Sequence, residues 1–334
     1  MSSTARRIAI ISATVPEDLQ HSIRQHLDIH SVPIGQRIED AVPAEVRAQA
    51  VALLCTVRTP VQESLFAALP RLQVVSNFAV GYDNIDVAAA TKAGVLVCNT
   101  PGVLDAAVAD LTIGMVLCLG RKLVDNDRFV RSGAWLKGAA PLASDLAGKT
   151  LGLLGMGRIG RMVAKRAQAF DMNVIYHNRR PDAEAERAAL GSYVERDALF
   201  AQSDYVSVHV PLGPETKASI GEREFSLMKP SAFFLNTARG AVVDEEALID
   251  ALRRGRIAGA GLDVMVKEPL DTASPLVDLP NVVLQPHVGS ATVETRRAMM
   301  ALAVDNMINA ASGKQPKAMV NESIWSVAAG KGRQ

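Results

Sequence analysis

Short apolar runs separated by polar, helix-like stretches recur along the first hundred residues. Ile8–Ile11 is the first run, and Val51–Cys55, Leu72–Ser76 and Val95–Cys98 follow it, with a polar helical pattern near Glu17–Leu27. Strands that alternate with helices in this way form a parallel sheet flanked by helices. The pattern therefore predicts an α/β fold.

Two long apolar helical runs frame a second series of strands and helices. The first spans about Leu104–Val130 and the second spans Ala291–Ala311. A chain of 334 residues is long for one domain. We therefore expect a discontinuous domain of residues 1–102 and 291–334, a continuous domain of residues 103–290, and a cleft between the two lobes.

The most informative stretch is Thr150–Gly160, where a strand-like run breaks into three spaced glycines and continues as a helical pattern. Gly155 can adopt a tight turn, Gly157 lets a pyrophosphate approach the main chain, and Gly160 allows close packing of helix on strand. The N–H groups that open the helix would face an anion. Because the next strand, Val174–Tyr176, follows at the expected distance, a glycine-rich turn that binds nothing is the weaker alternative. We predict a dinucleotide site.

The end of that next strand indicates which dinucleotide fits. An NAD site places a carboxylate there for the ribose 2′-hydroxyl, whereas this chain has Asn178, Arg179 and Arg180. Asn178 can donate a hydrogen bond to a 2′-phosphate, and guanidinium groups can bind a phosphate bidentately. NADP(H) is therefore the preferred cofactor, with NAD(H) possible. Alternatively, the two arginines form a solvated loop pair beside Pro181.

Charge and cysteine content narrow the class of partner. The 36 basic and 35 acidic residues leave a net charge of +1, so neither a nucleic-acid-binding nor a membrane-binding surface is indicated. No apolar run approaches the length of a membrane span. Cys55, Cys98 and Cys118 lie in apolar segments without metal-ligand or redox spacing. We expect a cytoplasmic protein that holds no metal and acts on small molecules.

Three later strand-like runs each lead to a polar residue with useful chemistry. Arg239, Glu268 and His287 follow the runs that end at Asn236, Leu262 and Leu284. Ligands of open α/β sheets bind beyond the carboxyl ends of strands. A guanidinium matches a carboxylate or carbonyl, histidine titrates near neutrality, and a nearby carboxylate favours the imidazolium. Together these groups predict reduction of a 2-keto acid by a hydride donor, although each alone could be an ordinary loop residue. Three histidines in a polar helical stretch are poorer candidates: His21, His26 and His30.

Four motifs together resemble the D-isomer-specific 2-hydroxyacid dehydrogenase family over nearly the whole chain. They are Gly155–Gly160, Asn236–Asp244, Gly261–Val264 with Glu268-Pro269, and Pro286–Thr292. The stretch Ser76–Asp86 and the Asn-Arg-Arg sequence are most similar to the branch of glyoxylate/hydroxypyruvate and 2-ketogluconate reductases. The resemblance implies two doubly wound parallel-sheet lobes, a Rossmann-type nucleotide domain and a flavodoxin-like substrate domain.

The resemblance also implies a role for each matched position. Backbone N–H groups of Val80 and Gly81 would bind the substrate carboxylate, and Arg239 would hold the carboxylate and the keto oxygen. His287 would donate the proton, with Glu268 favouring its imidazolium form. Asp263 would accept a hydrogen bond from the nicotinamide carboxamide. The cofactor-binding positions implied in this way are Val108, Gly155, Gly157, Arg158, Ile159, Gly160, Asn178, Arg179, Arg180, Val210, Pro211, Thr237, Asp263 and Gly289.

The activity implied is NADPH-dependent reduction of short 2-keto acids, glyoxylate and hydroxypyruvate, to 2-hydroxy acids, with the D configuration where a stereocentre forms. A 2-ketogluconate reductase with the same mechanism is the alternative, and a dinucleotide-sensing, corepressor-like interaction protein is a distant one. The resemblance further implies a homodimer with Leu104–Leu136 as an arm. Trp135 resembles a tryptophan that closes the partner's substrate pocket, although it could equally belong to the core.

Two positions depart from the family pattern. Asp171 stands near a position where glycine is common, and aspartate tolerates a left-handed backbone better than most residues. We therefore expect a small cost in stability and no change in function. Asp105 and Ala106 stand where a threonine or glutamate is usual, which affects the fine fit of the substrate.

Overall fold

The computed structural model describes residues 7–325, so the ends of the predicted discontinuous domain, residues 1–6 and 326–334, lie outside the described residues. The chain divides into two compact units. Unit 1 comprises Met1–Leu104 and Val293–Gln334, and unit 2 comprises Asp105–Thr292. Each unit is built around its own parallel sheet.

The sheet of unit 1 has five strands: β1 (Ile8–Ile11), β2 (Asp28–Ser31), β3 (Ala50–Cys55), β4 (Val74–Asn77) and β5 (Leu96–Cys98). They pair in the order β2-β1-β3-β4-β5. Five helices connect them: α1 (Glu17–Arg24), α2 (Ile38–Ala41), α3 (Ala44–Arg47), α4 (Glu63–Ala68) and α5 (Val87–Lys92). All six residues of β3 are buried, as expected for a parallel strand covered on both faces.

The sheet of unit 2 has seven strands: β6 (Thr150–Leu154), β7 (Asn173–His177), β8 (Ser192–Tyr193), β9 (Tyr205–Val208), β10 (Phe233–Asn236), β11 (Gly259–Leu262) and β12 (Val282–Leu284). Its helices are α6 (Asp105–Gly120), α7 (Leu123–Arg131), α8 (Arg158–Gln168), α9 (Ala183–Arg187), α10 (Arg196–Gln202), α11 (Glu222–Leu227), α12 (Glu245–Arg253) and α13 (Pro275–Asp278). The strand order is β12-β11-β10-β9-β6-β7-β8, so the chain reverses its direction of travel across the sheet beside β6. Such a reversal opens a crevice at the carboxyl ends of the strands.

The last long helix, α14 (Val293–Ala311), belongs to unit 1. Its apolar side chains, among them Met300, Val304 and Met307, enter one of the unit's cores. The hydroxyl of Ser76 on β4 donates a 2.7 Å hydrogen bond to the Ala303 carbonyl and ties the helix to the sheet. The α/β class predicted from the alternating pattern and the two parallel-sheet lobes implied by the resemblance are both confirmed.

Pairing registers in unit 2 align the carboxyl ends of neighbouring strands. Leu154 at the end of β6 pairs with His177 at the end of β7 and with Val208 at the end of β9. The last residues of the next three strands continue the row: Asn236, Leu262 and Leu284. The residues that follow these strands therefore emerge along one edge of the sheet.

Two helical predictions were wrong. The run expected as one helix over Leu104–Val130 is two helices, because the backbone turns left-handed at Lys122 (φ 52°) after Gly120. The polar stretch that contains His30 is helical only as far as Arg24. His30 lies on β2, where it pairs with Ile10, so strand pairing overrides the polar pattern.

The expected left-handed backbone at Asp171 is present, with φ of 56°. Cys55 and Cys98 are buried free thiols, and Cys118 is a half-buried one. Among residues 7–325, none of the helices combines the length and the apolar character that a bilayer-spanning segment needs.

Candidate active site

The three glycines of the turn after β6 meet different surroundings. Gly155 has φ of 106°, and a Cβ atom there would lie 2.7 Å from the carbonyl carbon of His209. A Cβ atom at Gly160 would overlap the carbonyl oxygen of Gly155. A Cβ atom at Gly157, by contrast, would meet no protein atom within 4 Å. The fold therefore requires two of the glycines, whereas the space over Gly157 is open to a ligand.

The helix α8 begins at Arg158, directly after this open space, so its first N–H groups border it. The N–H of Met156 donates a 2.7 Å hydrogen bond to Oδ1 of Asn178. This contact orients the Asn178 amide and directs its NH2 group away from Met156. Ile159 packs against the core of unit 2.

The basic residues near the turn are exposed. Nε of Arg158 lies 3.4 Å from Oδ2 of Asp105, which is buried in the first turn of α6. Nη1 of Arg179 lies 3.8 Å from Oε2 of Glu215, and both side chains are more than three-quarters exposed. Arg180 is also exposed. Exposed ion pairs contribute little free energy, so the Glu215 contact does not fix Arg179 in place.

The loop after β10 carries Arg239 and is shaped by the buried amide of Asn236. Its Oδ1 accepts from the N–H of Ala238 at 3.0 Å, and its Nδ2 donates to the carbonyl of Arg239 at 2.9 Å. A Cβ atom at Gly240 would overlap the Met265 carbonyl group, so glycine allows this loop to pack against the loop after β11. The Thr237 hydroxyl lies 3.2 Å from that of Thr112 on α6.

His287 and Glu268 form a direct pair. Nδ1 of His287 lies 2.7 Å from Oε2 of Glu268, and Oε1 of Glu268 accepts from the N–H of Met265 at 3.1 Å. The two side chains are 37% and 31% exposed. Burial disfavours the charged carboxyl, but the hydrogen bond and charge of His287, the Met265 N–H and the charge of Arg239 outweigh it and lower the pKa of Glu268. The pair leaves Nε2 of His287 as the nitrogen available for proton transfer.

Asp263 holds the backbone beside His287. This buried carboxylate accepts from the N–H of Val288 at 2.7 Å through Oδ1 and from the N–H of Gly289 at 2.8 Å through Oδ2. Burial raises the pKa of Asp263, and the two N–H groups only partly offset that effect. His287 itself has φ of 57°, an uncommon backbone for a residue other than glycine. Asp263 thus stabilises the backbone that presents the imidazole.

The remaining predicted cofactor residues also lie at this sheet edge. Val108 is buried on α6 and packs beside Gly289, where a Cβ atom would lie 3.3 Å from its Cγ2. Val210 and Pro211 follow β9, and the Pro211 carbonyl accepts a 2.6 Å hydrogen bond from the Thr216 hydroxyl. The structure therefore brings together the unit 2 residues expected at the site, while their roles stay predictions.

Val80 and Gly81 lie in unit 1, in the loop after β4. Trp135 lies in a short 3₁₀ helix, Ala134–Lys137, with 67% of its surface exposed. The alternative that Trp135 belongs to the core is therefore wrong, because most of its side chain is exposed to solvent.

The sequence interpretation missed the contributions of Asn236 as a loop anchor and of Asp263 as a backbone clamp. Asn236 had a usable signal, because asparagine at a strand end commonly accepts from a backbone N–H two residues on. The clamp by Asp263 had none, since Val288 and Gly289 are distant from it in sequence.

Comparisons with known proteins give a consistent result. A family model described as D-isomer specific 2-hydroxyacid dehydrogenase, NAD binding domain, matches residues 113–289. The chain is 48% identical over 279 residues to glyoxylate reductase of Thermococcus litoralis, which covers 82% of this chain and 84% of that protein. It is 44% identical over 315 residues to glyoxylate/hydroxypyruvate reductase B of Salmonella typhi, over 93% of this chain and 97% of that protein.

A solved structure is similar over nearly the full length. The NADPH-dependent glyoxylate/hydroxypyruvate reductase of Sinorhizobium meliloti, in complex with NADP and malonate, superposes with a TM-score of 0.87 at 34% identity. The match covers 95% of this chain and 98% of that one.

Proposed function

Because this chain belongs to the D-isomer-specific 2-hydroxyacid dehydrogenase family, we propose that it is an NADPH-dependent reductase of glyoxylate and hydroxypyruvate. The family interconverts 2-keto and 2-hydroxy acids, and the chain is an oxidoreductase of that kind. The single observation that carries the mechanism is the 2.7 Å contact between His287 Nδ1 and Glu268 Oε2. It pairs a proton donor with a carboxylate at the sheet edge that bears the glycine turn.

The residues divide the chemistry among them. His287 carries a proton on Nε2 and donates it to the keto oxygen as that oxygen gains charge. Glu268 stabilises the imidazolium and holds the ring in one orientation. The Arg239 guanidinium binds the substrate carboxylate and polarises the carbonyl. In unit 1, the N–H groups of Val80 and Gly81 are the proposed donors to a substrate carboxylate. A bound nicotinamide dinucleotide would supply the hydride that reduces C2.

The glycine turn fits a dinucleotide. Open space over Gly157 and the N–H groups that begin α8 suit a pyrophosphate. The oriented Asn178 amide and the exposed Arg179 and Arg180 support a site for a 2′-phosphate, which is why NADPH is preferred in the proposal.

Steady-state rates test the proposal directly. NADPH and NADH are each assayed with glyoxylate, hydroxypyruvate, pyruvate and 2-ketogluconate. We expect the highest kcat/KM with NADPH as the cofactor and with glyoxylate or hydroxypyruvate as the substrate. Preference for 2-ketogluconate would favour the sugar-acid alternative, and binding of NADPH without turnover of any acid would favour a sensing protein.

Substitution of the two exposed arginines tests the preference for NADPH over NADH. The double variant R179A/R180A is expected to weaken NADPH binding at least tenfold while leaving NADH binding unchanged, because only NADPH carries the 2′-phosphate. Arg187→Ala is the matched control, since Arg187 is an exposed arginine at the end of α9. Equal loss of affinity for both cofactors would contradict the phosphate role.

We also propose that the protein is a homodimer and is located in the cytoplasm. Exposed apolar side chains near the end of the Leu104–Leu136 arm support a homodimer formed through it: Val130, Trp135 and Leu136, with Leu142 just beyond the arm. We expect Leu136→Glu to shift the mass measured by light scattering from dimer to monomer. A wild-type monomer would contradict the dimer. The free, buried thiols of Cys55 and Cys98 support a cytoplasmic location.

A further inference from the structure

The loop that carries Val80 and Gly81 has three consecutive carbonyl groups that each accept a hydrogen bond. The Ala79 carbonyl accepts from the N–H of Thr100 at 2.8 Å. The Val80 carbonyl accepts from Nδ2 of Asn99 at 2.8 Å, and the Gly81 carbonyl accepts from Nδ2 of Asn77 at 2.9 Å.

These contacts determine where the loop's N–H groups point. In a trans peptide the carbonyl of one residue and the N–H of the next point in opposite directions. The Ala79 and Val80 carbonyls face Thr100 and Asn99, so the N–H groups of Val80 and Gly81 are directed away from those anchors. Consecutive N–H groups turned to one side form a concave site for an anion.

The Asn77 anchor is itself held in place. Asn77 is fully buried at the end of β4, and its Nδ2 also donates to Oδ1 of Asn84 at 3.1 Å. Nδ2 of Asn84 in turn donates to the carbonyls of Thr56 at 3.2 Å and Thr59 at 2.9 Å. The Cys55 thiol lies 3.5 Å from Oδ1 of Asn77. The amide that holds the Gly81 carbonyl therefore has one orientation.

The Asn99 anchor is tied to the other side of unit 1. Its carbonyl accepts at 3.2 Å from Nδ2 of Asn306, a fully buried residue of α14. Oδ1 of Asn306 accepts from the N–H of Lys317 at 2.9 Å and from that of Ala318 at 3.3 Å. A chain of amides thus runs from α14 to the Val80 carbonyl.

We propose that Asn99 is a positioning residue for the substrate carboxylate, because it holds the Val80 carbonyl and so orients the Gly81 N–H toward that carboxylate. This inference rests on the proposed function. Buried amides also stabilise a fold merely by being hydrogen-bonded. What distinguishes Asn99 is that it binds the carbonyl of the peptide whose N–H, that of Gly81, is assigned to the carboxylate. Asn77 binds the next carbonyl and holds the loop where that peptide ends.

The test compares Asn99→Ala with Asn321→Ala. Asn99 is half-buried, so its variant retains the fold, whereas Asn77 is fully buried. Asn321 is the matched control in the same unit. Its amide binds the Val97 N–H, the Val95 carbonyl and the Thr91 hydroxyl, none of which belongs to the loop.

We expect Asn99→Ala to raise the KM for glyoxylate about tenfold, with a smaller change in kcat, because an oriented N–H is lost from ground-state binding. The Kd of NADPH, measured by nucleotide fluorescence, should stay within twofold of the wild-type value. The inhibition constant of oxamate, a carboxylate-bearing substrate analogue, should rise in parallel with KM. Asn321→Ala should lower Tm and leave KM unchanged.

A KM within twofold of wild type in Asn99→Ala would overturn the inference, and so would an equal rise of KM in Asn321→Ala. A second variant, Asn99→Asp, removes the donor and adds a negative charge, so it should raise KM more than the alanine variant does. These outcomes are distinct from failure of the proposed function, which would show as absent turnover in the wild-type protein.

Discussion

The glycine turn and the His287 loop lie at the same edge of the unit 2 sheet but are held in different ways. The glycines of the turn pack against backbone groups: Gly160 lies on the Gly155 carbonyl within the turn, and Gly155 lies on the His209 carbonyl after β9. The His287 loop is held by side chains from distant loops, namely Glu268 and Asp263. The turn is therefore marked in the sequence by its own glycines, whereas the catalytic geometry depends on side-chain contacts that only the folded sheet creates.

The largest expected effect comes from removing the proton donor of the His287 loop. Loss of a general acid lowers rates by about 10²–10⁴-fold. His287→Gln should therefore reduce kcat/KM for glyoxylate by that amount and leave the Kd of NADPH unchanged. His177→Gln is the control, because Nδ1 of His177 lies 2.9 Å from the Val194 carbonyl at the end of a neighbouring strand. Equal activity in the two variants would refute the assignment.

Disrupting the clamp should have the next largest effect. In Asp263→Asn, the single amide oxygen accepts from only one of the Val288 and Gly289 N–H groups, so the left-handed backbone at His287 loses support. A displacement of about 1 Å can cost up to about 100-fold in rate. We expect kcat to fall 10-fold to 100-fold, as measured by single-turnover kinetics with NADPH saturating.

The control for the clamp is Asp204→Asn. Asp204 accepts from the Thr150 N–H at 2.8 Å and from Lys229 at 2.9 Å, remote from the carboxyl ends of the strands. Its substitution should lower Tm and leave kcat unchanged. If Asp263→Asn lowers Tm but not kcat, Asp263 stabilises the fold and does not position His287.

Two alanine substitutions separate fold from binding within the glycine turn. Gly160→Ala places a Cβ atom over the Gly155 carbonyl oxygen and should cost about 2 kcal/mol of stability, in the range of overpacked sites. Gly157→Ala meets no protein atom within 4 Å, so it should leave Tm unchanged and weaken NADPH binding about tenfold. Denaturant titration and nucleotide fluorescence measure the two effects. A lower Tm in Gly157→Ala would contradict the assignment of Gly157 to cofactor binding alone.

The smallest expected effect is a pH dependence of folding stability that arises at His209, the residue packed against the glycine turn. His209, whose carbonyl packs against Gly155, has its pKa lowered to about 4 by burial. The unfolded chain protonates this histidine below about pH 6.5 while the folded protein does not, so stability is lost as pH falls toward 4.

The pH range in which stability is lost distinguishes the glycine turn from the His287 loop. The lowered pKa of Glu268 gives a contribution that is present above the unfolded value, near about 4.3, and is lost only below it. Thermal unfolding between pH 7 and pH 5 should therefore show a decline in Tm that His209→Gln abolishes and Glu268→Gln retains. The opposite result would assign the acid-sensitive step to the His287 loop.

Much of the fold was predictable because its signals are local. The apolar runs at Phe233–Asn236 and Val282–Leu284 coincide with β10 and β12, and the three glycines follow β6 as expected. Three of the four β10 residues are buried, and parallel strands covered on both faces are continuous apolar segments, so the position of β10 is evident from residue type alone. The positive φ at Asp171 was predictable for the same reason, since one residue's steric limits decide it.

The sequence by itself determined the α/β class, the glycine turn and the residue types that follow the strands. Only the tertiary structure decided which of those residues meet: the Glu268 carboxylate at His287, the Asp263 carboxylate at Val288 and Gly289, and the Asn178 amide at Met156. The reason is physical. Backbone preferences act within a few residues, whereas these hydrogen bonds join groups about 20 residues apart or more, and strand register alone brings such groups within 3 Å.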